Sequence, residues 1–389
     1  MMKAPGIALA LATDRADTAE RAAELLVVAG EASGDAMASR VIARLATPAF
    51  GLGGNALAGA GVELTGHLSK LTAMGVGAVL GRAPELVASV AKLWIEVERR
   101  RPRAALLVGF SELNAWLGTR LRRLGTRVLW YGPPQIWAWR AGRADALRRA
   151  CDRMAVVLPF EEQLWRRHGV DAHYVGHPAL ECVAGPSDGL RERLGMTPYA
   201  DYVALLPGSR PHEVRRHLVP MLGAVDLLRK ERGALDARVI VASSLPSPSA
   251  EWIAHTAARA GVAVLECDAA SVLSAFDVAL AASGTVTLEC ALAEVPPVVG
   301  YRVGPLSAFV AARTLRVSDI ALPNLLLGER VFPELVQEAM TAEAMAEEAE
   351  RLLEQRPVFA ARCRDVRRIL ETDGSASEQV ARLMERWLD

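Results

Sequence analysis

Residues Leu25–Asp35 read LLVVAGEASGD, and this stretch decides the fold. Its first five residues are all apolar, without polar alternation, as in a strand of a parallel sheet covered on both faces by helices. Gly30 and Gly34, bracketing Glu31, Ala32 and Ser33, then turn the chain into a helix. Ser33 is placed to cap that helix, whose free N–H groups suit an anion or a sugar hydroxyl. An ordinary strand-to-helix turn accounts for the same spacing equally well. The pattern is not G-x-G-x-x-G, so dinucleotide binding gains no support.

Outward from this unit the same alternation continues to the end of the chain. AALLVGF repeats the apolar run, and strands are expected at Leu25–Ala29, Pro48–Leu52, Arg103–Gly109, Arg127–Tyr131, Arg153–Leu158 and Ala172–Val175. Helices are expected between them at Asp35–Leu45, Pro84–Arg100 and Leu113–Leu124. A Gly/Pro-punctuated stretch, GHPALECVAGPSDGLRERLGMTP, reads as the interdomain linker. Beyond it, strands are expected at Tyr202–Leu206, Arg238–Ala242, Val262–Leu265, Val278–Ala282 and Pro297–Tyr301, with helices after Pro211, at Thr287–Ala293 and from Thr341 onward. The fold class is therefore α/β, with two Rossmann-like domains whose parallel sheets face a central cleft. The division expected is an N-terminal extension over 1–24, one domain over 25–178 and a second over 179–375, with a last helix at about 376–389 returning to the first. Ligands should sit at the C-terminal strand ends, where strand order reverses.

Composition narrows the function classes. The 389 residues suit two domains, and 51% hydrophobic with 23% charged residues excludes a disordered or coiled-coil chain. Lys plus Arg equals Asp plus Glu at 45 each, against a dedicated nucleic-acid binder. Only Lys3, Lys70, Lys92 and Lys230 are lysines, an Arg bias of compositional origin. The five cysteines lie far apart, forming neither a disulfide framework nor a zinc motif, which suits a reducing compartment. The seven histidines show no metal-ligand spacing, and neither an Asp-x-Asp pair nor a G-x-S-x-G elbow is present. No apolar run reaches the ~18 residues of a membrane span. The opening MMKAPGIALALATDRAD has too weak an apolar core for a signal peptide and is expected to be an extension.

Four further segments carry chemistry. In ALLPGSRPHEVRRH, a strand runs into Pro207-Gly208-Ser209-Arg210 and a helix begins near Pro211. Gly208 allows close backbone approach, Ser209 offers a hydroxyl, and the Arg210 fork matches phosphate oxygens. A surface turn with a solvated Arg is the plain alternative. In ALAASGTVTLECALAEVPPVV, Ser283, Gly284 and Thr285 end a strand and open a helix bearing Thr287 and Glu289. Small groups there can approach phosphate, and the carboxylate can accept two ribose hydroxyls. A solvated helix carboxylate explains Glu289 as well. GPPQIWAWR offers Trp137 and Trp139 as a wall or as core. LTAMGVGAVLGRAPEL, with Arg82, Trp94, Arg99, Arg100, Arg101 and Arg103, combines an apolar surface with basic residues, as suits an anionic membrane or an ordinary core with a solvated Arg cluster.

Taken in order, VAGEASGD, AMGVGAVLGR, GPPQIWAWR, LPFE, VGHP, LLPGSR with Glu213, ASGTVTLE, VVGYR and LPNLLLG resemble the lipid-A-disaccharide synthase family from about Leu25 to the last helices. The resemblance implies a GT-B glycosyltransferase of two Rossmann-like domains. It would join UDP-2,3-diacylglucosamine to 2,3-diacylglucosamine 1-phosphate (lipid X), releasing UDP and lipid A disaccharide 1-phosphate. Implied partners are a UDP-sugar donor, a lipid acceptor and the cytoplasmic face of the inner membrane, with a homodimer allowed and neither nucleic acid, metal nor cofactor required. By matching position, Ser209, Arg210 and Glu213 would bind the UDP end, and Ser283, Gly284, Thr285 and Glu289 the phosphate and ribose. Asn324 would also face the nucleotide, while Glu31, Ser33 and Asp35 would line the acceptor side. One departure stands out: the family usually reads G-I-D-A-P-D-F-N after the fourth strand, whereas this chain reads Gly109-Phe110-Ser111-Glu112-Leu113-Asn114, two residues shorter and without that first Asp. Sugar transfer needs a base for the acceptor hydroxyl, and Glu112, beside Ser111, is the candidate. The rivals are another UDP-sugar GT-B enzyme, such as an epimerase or a peptidoglycan-precursor transferase, and a paralogue that binds donor or lipid without turnover.

Overall fold

The computed structural model describes residues 24–67, 79–138, 141–183, 185, 189–243, 245–304 and 319–388. The chain divides into two units, one of Met1–Gln135, Gly142–Val175 and Gly374–Asp389, the other of Ile136–Ala141 and Gly176–Asp373.

In the first unit the order is β1 (Leu25–Ala29), α1 (Ala32–Ile42), β2 (Ala49–Gly53), α2 (Asn55–Gly59), β3 (Glu63–His67), α3 (Val79–Arg100), β4 (Ala104–Val108), α4 (Ser111–Arg123), β5 (Arg127–Tyr131), α5 (Ala144–Ala150), β6 (Arg153–Val156), α6 (Pro159–Arg167) and β7 (Asp171–Tyr174). The seven strands are parallel, in the order β3-β2-β1-β4-β5-β6-β7. Every residue of β1 and β4 is buried, as their unbroken apolar runs require.

The second unit contains α7 (Leu190–Arg193), β8 (Asp201–Leu206), α8 (Pro211–Arg232), β9 (Leu235–Val241), α9 (Ser247–Arg259), β10 (Ala263–Glu266), β11 (Val278–Ala282), α10 (Thr285–Leu292), β12 (Pro297–Tyr301), α11 (Leu322–Leu327), β13 (Glu334–Val336), α12 (Ala342–Glu354) and α13 (Arg356–Leu370). Its six strands are also parallel, in the order β10-β9-β8-β11-β12-β13. The last helix, α14 (Ala376–Leu388), belongs to the first unit. There Val380, Ala381 and Met384 join Ala38 and Val41 of α1 in the core. Each large apolar side chain buried this way contributes about 1.5–3 kcal/mol. Arg103 and Arg153 fix the same helix by donating to the carbonyls of Leu388 and Leu383.

Three local expectations are corrected. Helix α1 begins at Ala32 with Glu31 in the capping position and no side-chain cap, so Ser33 lies inside the first turn and does not cap it. The helical run from Thr341 is three helices, broken where Pro357 opens α13 and again across Glu371–Ser375. Strands β3 and β13 were not expected: both are sheet edges, and ELTGH and ELV bury too little to show an apolar run.

Candidate functional site

In each sheet the strand order reverses once, between β1 and β4 in the first unit and between β8 and β11 in the second. Chains leaving neighbouring parallel strands in opposite directions open a crevice at their C-terminal ends. VAGEASGD and GFSELN leave the first sheet there, and PGSR and SGT the second, whereas GPPQIWAWR follows β5.

In the second unit, β8 and β11 are in register with Leu206 beside Ala281, so PGSR and SGT depart side by side. Pro211 takes the first position of α8 and Arg210 its cap, leaving the helix N-terminus facing Ser209 and Arg210. The Arg210 side chain is 64% exposed and holds Glu213 Oε1 through Nη1 at 2.8 Å. Glu213 itself is buried beneath the loop. Gly208 has a φ of +119°, and a Cβ there would lie 2.7 Å from Glu213 Oε2, so only glycine suits the turn. The result is an exposed guanidinium, aimed by a buried carboxylate, beside a helix dipole: a site for an anion.

Across the same edge, Gly284 and Thr285 are exposed at the start of α10, while the Ser283 hydroxyl donates to Ile320 O at 3.0 Å. Thr287 donates to Gly284 O at 2.8 Å and is buried. Glu289 is half-buried one turn on, and no other described residue hydrogen-bonds its carboxylate. Burial, with the Asp268 charge adding to it, pushes the Glu289 carboxyl up to about 7. A carboxyl so placed can accept two hydroxyls from a ligand, whose hydrogen bonds would offset the desolvation. Asn324, the residue expected to face the nucleotide, lies at the start of α11 beside the loop that leads to β13. It is fully buried, its amide donating to Phe332 O and Glu334 Oε1 and accepting from the N–H groups of Val331 and Phe332. Every bonding position the amide offers to the loop is thereby occupied.

In the first unit, the Gly30 N–H donates to Val108 O, coupling the ends of β1 and β4. A Cβ on Gly30 would fall 2.1 Å from Phe110 Cβ, so the phenylalanine occupies the space a larger residue would need. Gly109 and Phe110 both have positive φ, +61° and +45°, a tight left-handed departure that the short loop imposes. Asn114, fully buried, steadies this turn by donating to Gly109 O at 2.7 Å. Glu31 and Ser33 are exposed at the start of α1, and Glu31 Oε1 approaches Gly109. Ser111 opens α4 half-buried. Glu112 follows, 75% exposed, with Oε2 held by Arg143 Nη2 at 2.8 Å. Asp35, the third residue expected on the acceptor side, is buried. Its buried carboxylate accepts from the backbone N–H groups of Gly54, Ala56 and Leu57 at 2.6, 2.9 and 3.3 Å, capping α2.

Trp137 is half-buried, whereas Trp139 lies outside the described residues, as do Met74, Val76 and the side chains of Leu80 and Arg82. Farther along α3, Val87 and Ile95 are exposed. Trp94 meets Trp116 edge-on at 6.0 Å, and Arg120 stacks on Trp116 at 4.1 Å. Among the described residues, no helix is long and apolar enough to cross a membrane, and no His/Cys/Asp/Glu group is arranged to hold a metal ion. Sequence reasoning missed His217, Asn114 and Arg143 as supports of these loops. Only His217 left a signal, lying one turn after Glu213 on the same face of α8.

A family model described as lipid-A-disaccharide synthetase matches residues 25–384. The lipid-A-disaccharide synthase of Myxococcus xanthus (strain DK1622) is 42% identical over 337 residues, covering 84% of this chain and 87% of its own length. That of Anaeromyxobacter dehalogenans (strain 2CP-1 / ATCC BAA-258) is 39% identical over 366 residues, covering 92% and 95%. Among solved structures, a putative UDP-N-acetylglucosamine 2-epimerase from Listeria monocytogenes superimposes with a TM-score of 0.63 at 12% identity, over 94% of this chain and 96% of that one. This last likeness is one of fold.

Proposed function

The chain belongs to the lipid-A-disaccharide synthase family, and from that premise we propose how its residues carry out the reaction. It is a glycosyltransferase of lipid A biosynthesis with the GT-B fold, joining UDP-2,3-diacylglucosamine to 2,3-diacylglucosamine 1-phosphate with release of UDP. The observation that carries the assignment of donor residues is the β8/β11 reversal, which sets PGSR beside SGT.

At that edge Arg210, Ser209 and the α8 N-terminus take the diphosphate. Glu213 aims Arg210 rather than touching the ligand, because its carboxylate lies buried under Gly208. Gly284 and Thr285 present backbone N–H groups of α10 to the same phosphates, Ser283 ties the turn to Ile320, and Glu289 receives the ribose hydroxyls. As UDP departs, the leaving diphosphate gains charge, and these donors bind it more tightly than in the ground state.

On the acceptor side, Glu112 takes the proton from the attacking hydroxyl, with Arg143 holding the carboxylate in one direction. It stands in the first turn of the helix that follows β4, near where the family carries its Asp. Glu31 and Ser33 border the same turn. The lipid acceptor is taken from the cytoplasmic face of the inner membrane, against which the exposed apolar side of α3 rests. The reading is tested by incubating the purified protein with both lipid substrates and measuring disaccharide and UDP together. Measurable UDP binding without any disaccharide would favour the silent paralogue instead.

A further inference from the structure

We propose that His217 is a positioning residue for the donor's diphosphate, holding the PGSR loop in its binding conformation through one ring nitrogen. The proposal rests on the assignment of UDP to that loop.

His217 is fully buried on α8, four residues beyond Glu213. Its Nδ1 lies 2.9 Å from the carbonyl of Pro207, the residue that opens the loop. A carbonyl only accepts, so Nδ1 carries the proton. Nε2 lies against both backbone groups of Arg302, just past β12, its carbonyl at 3.2 Å and its N–H at 3.0 Å; with the neutral ring's one proton on Nδ1, against the nearer carbonyl, Nε2 accepts from that N–H. The Tyr301 ring packs beside the imidazole with centroids 5.9 Å apart. Burial holds the imidazole below its ordinary value, against the opposing pull of the two backbone contacts and of Glu213, so the neutral form this pattern needs is favoured.

The two bonds have different consequences. The bond to Pro207 bears on the loop, because Pro207 itself lacks an N–H and cannot fix its position through the ladder of β8. Gly208 beyond it has a positive φ and no side chain, so the turn has few restraints of its own. Side chains of α8 support it from below: Glu213 under Gly208, which also grips Arg210, and His217 under Pro207. The bond to Arg302 reaches another strand, β12, and bears on the sheet instead.

This separation gives the test. His217→Asn keeps a donor near the Nδ1 position and loses the Nε2 acceptor; His217→Gln places its amide near Nε2 and loses the donor to Pro207. His217→Leu loses both. Kd for UDP, kcat, KM for the donor and thermal stability are measured for the full chain, with Arg210→Ala as control. The expected result is that Asn binds UDP within about twofold of the parent, while Gln and Leu bind roughly two- to tenfold more weakly, the loss of one hydrogen bond's worth of order. Donor KM should rise with Kd in Gln and Leu. If UDP affinity instead follows thermal stability across the three variants, or changes equally in Asn and Gln, His217 is merely structural and the proposal is overturned. Weakened binding in Arg210→Ala with none in any His217 variant would overturn the proposal alone. No weakening in Arg210→Ala would overturn the assignment of UDP to the loop.

Discussion

Replacing Glu289 with Gln separates what the carboxyl does to the fold from what it does for the ligand. In the folded protein this group titrates at about 7, against an ordinary value of 4.5. Between those values the unfolded chain releases the proton and the folded chain keeps it. Stability from the neutral carboxyl is thus complete below about pH 4.5 and is lost as pH rises to about 7, by on the order of 3 kcal/mol. Gln has no proton to lose. Urea unfolding at about pH 4.5 and about pH 8 should therefore show the variant gaining on the parent by up to this amount at the higher pH. UDP binding should move the other way, falling by about 1.5–3 kcal/mol at about pH 8, because hydrogen bonds to an ionised carboxylate are lost. Parent affinity should also drop about tenfold from about pH 8 to about pH 6 relative to the variant, which shares any titration of the phosphate itself. A stability difference that stays constant across this range would refute the burial argument. A pH-independent ratio of affinities would refute ribose binding by the ionised form.

Four other variants follow from the geometry. Arg210→Ala should weaken UDP by about 1.5–3 kcal/mol in calorimetry while leaving the unfolding midpoint nearly unchanged, since its guanidinium is 64% exposed. Glu112→Gln should lower turnover by ~10²–10⁴ with little change in UDP affinity; equal turnover would mean that Glu112 only marks the start of α4. Asp35→Ala should cost about 1–3 kcal/mol in urea unfolding, because the N–H groups of Gly54, Ala56 and Leu57 lose their acceptor. Val87→Ser with Ile95→Ser should reduce co-sedimentation with anionic vesicles without lowering stability, as both side chains are exposed; unchanged recovery would remove α3 from the membrane face.

The sequence by itself determined the fold class and where chemistry could stand. Unbroken apolar runs marked β1 and β4, and glycines and other turn residues marked the departures from the strands, because strand burial and backbone conformation are written in neighbouring residues. The bounds of β1, β5, β11 and β12 were legible to the residue. The motifs in order also carried the family, which the match over residues 25–384 establishes. Which polar groups are available to a ligand was decided only by tertiary structure. The motifs alone do not show that Asp35 caps a helix 19 residues away or that Asn324 closes a loop. His217 showed its place one turn after Glu213, but its partner Arg302 lies 85 residues further along the chain and was not legible. For Glu289 the sequence left a ribose-binding group and a solvated helix carboxylate both open, and its partial burial is a property of the fold. A side chain's hydrogen-bonding capacity is fixed by its type, but whether that capacity is already filled depends on donors and acceptors that only the packed chain brings to it.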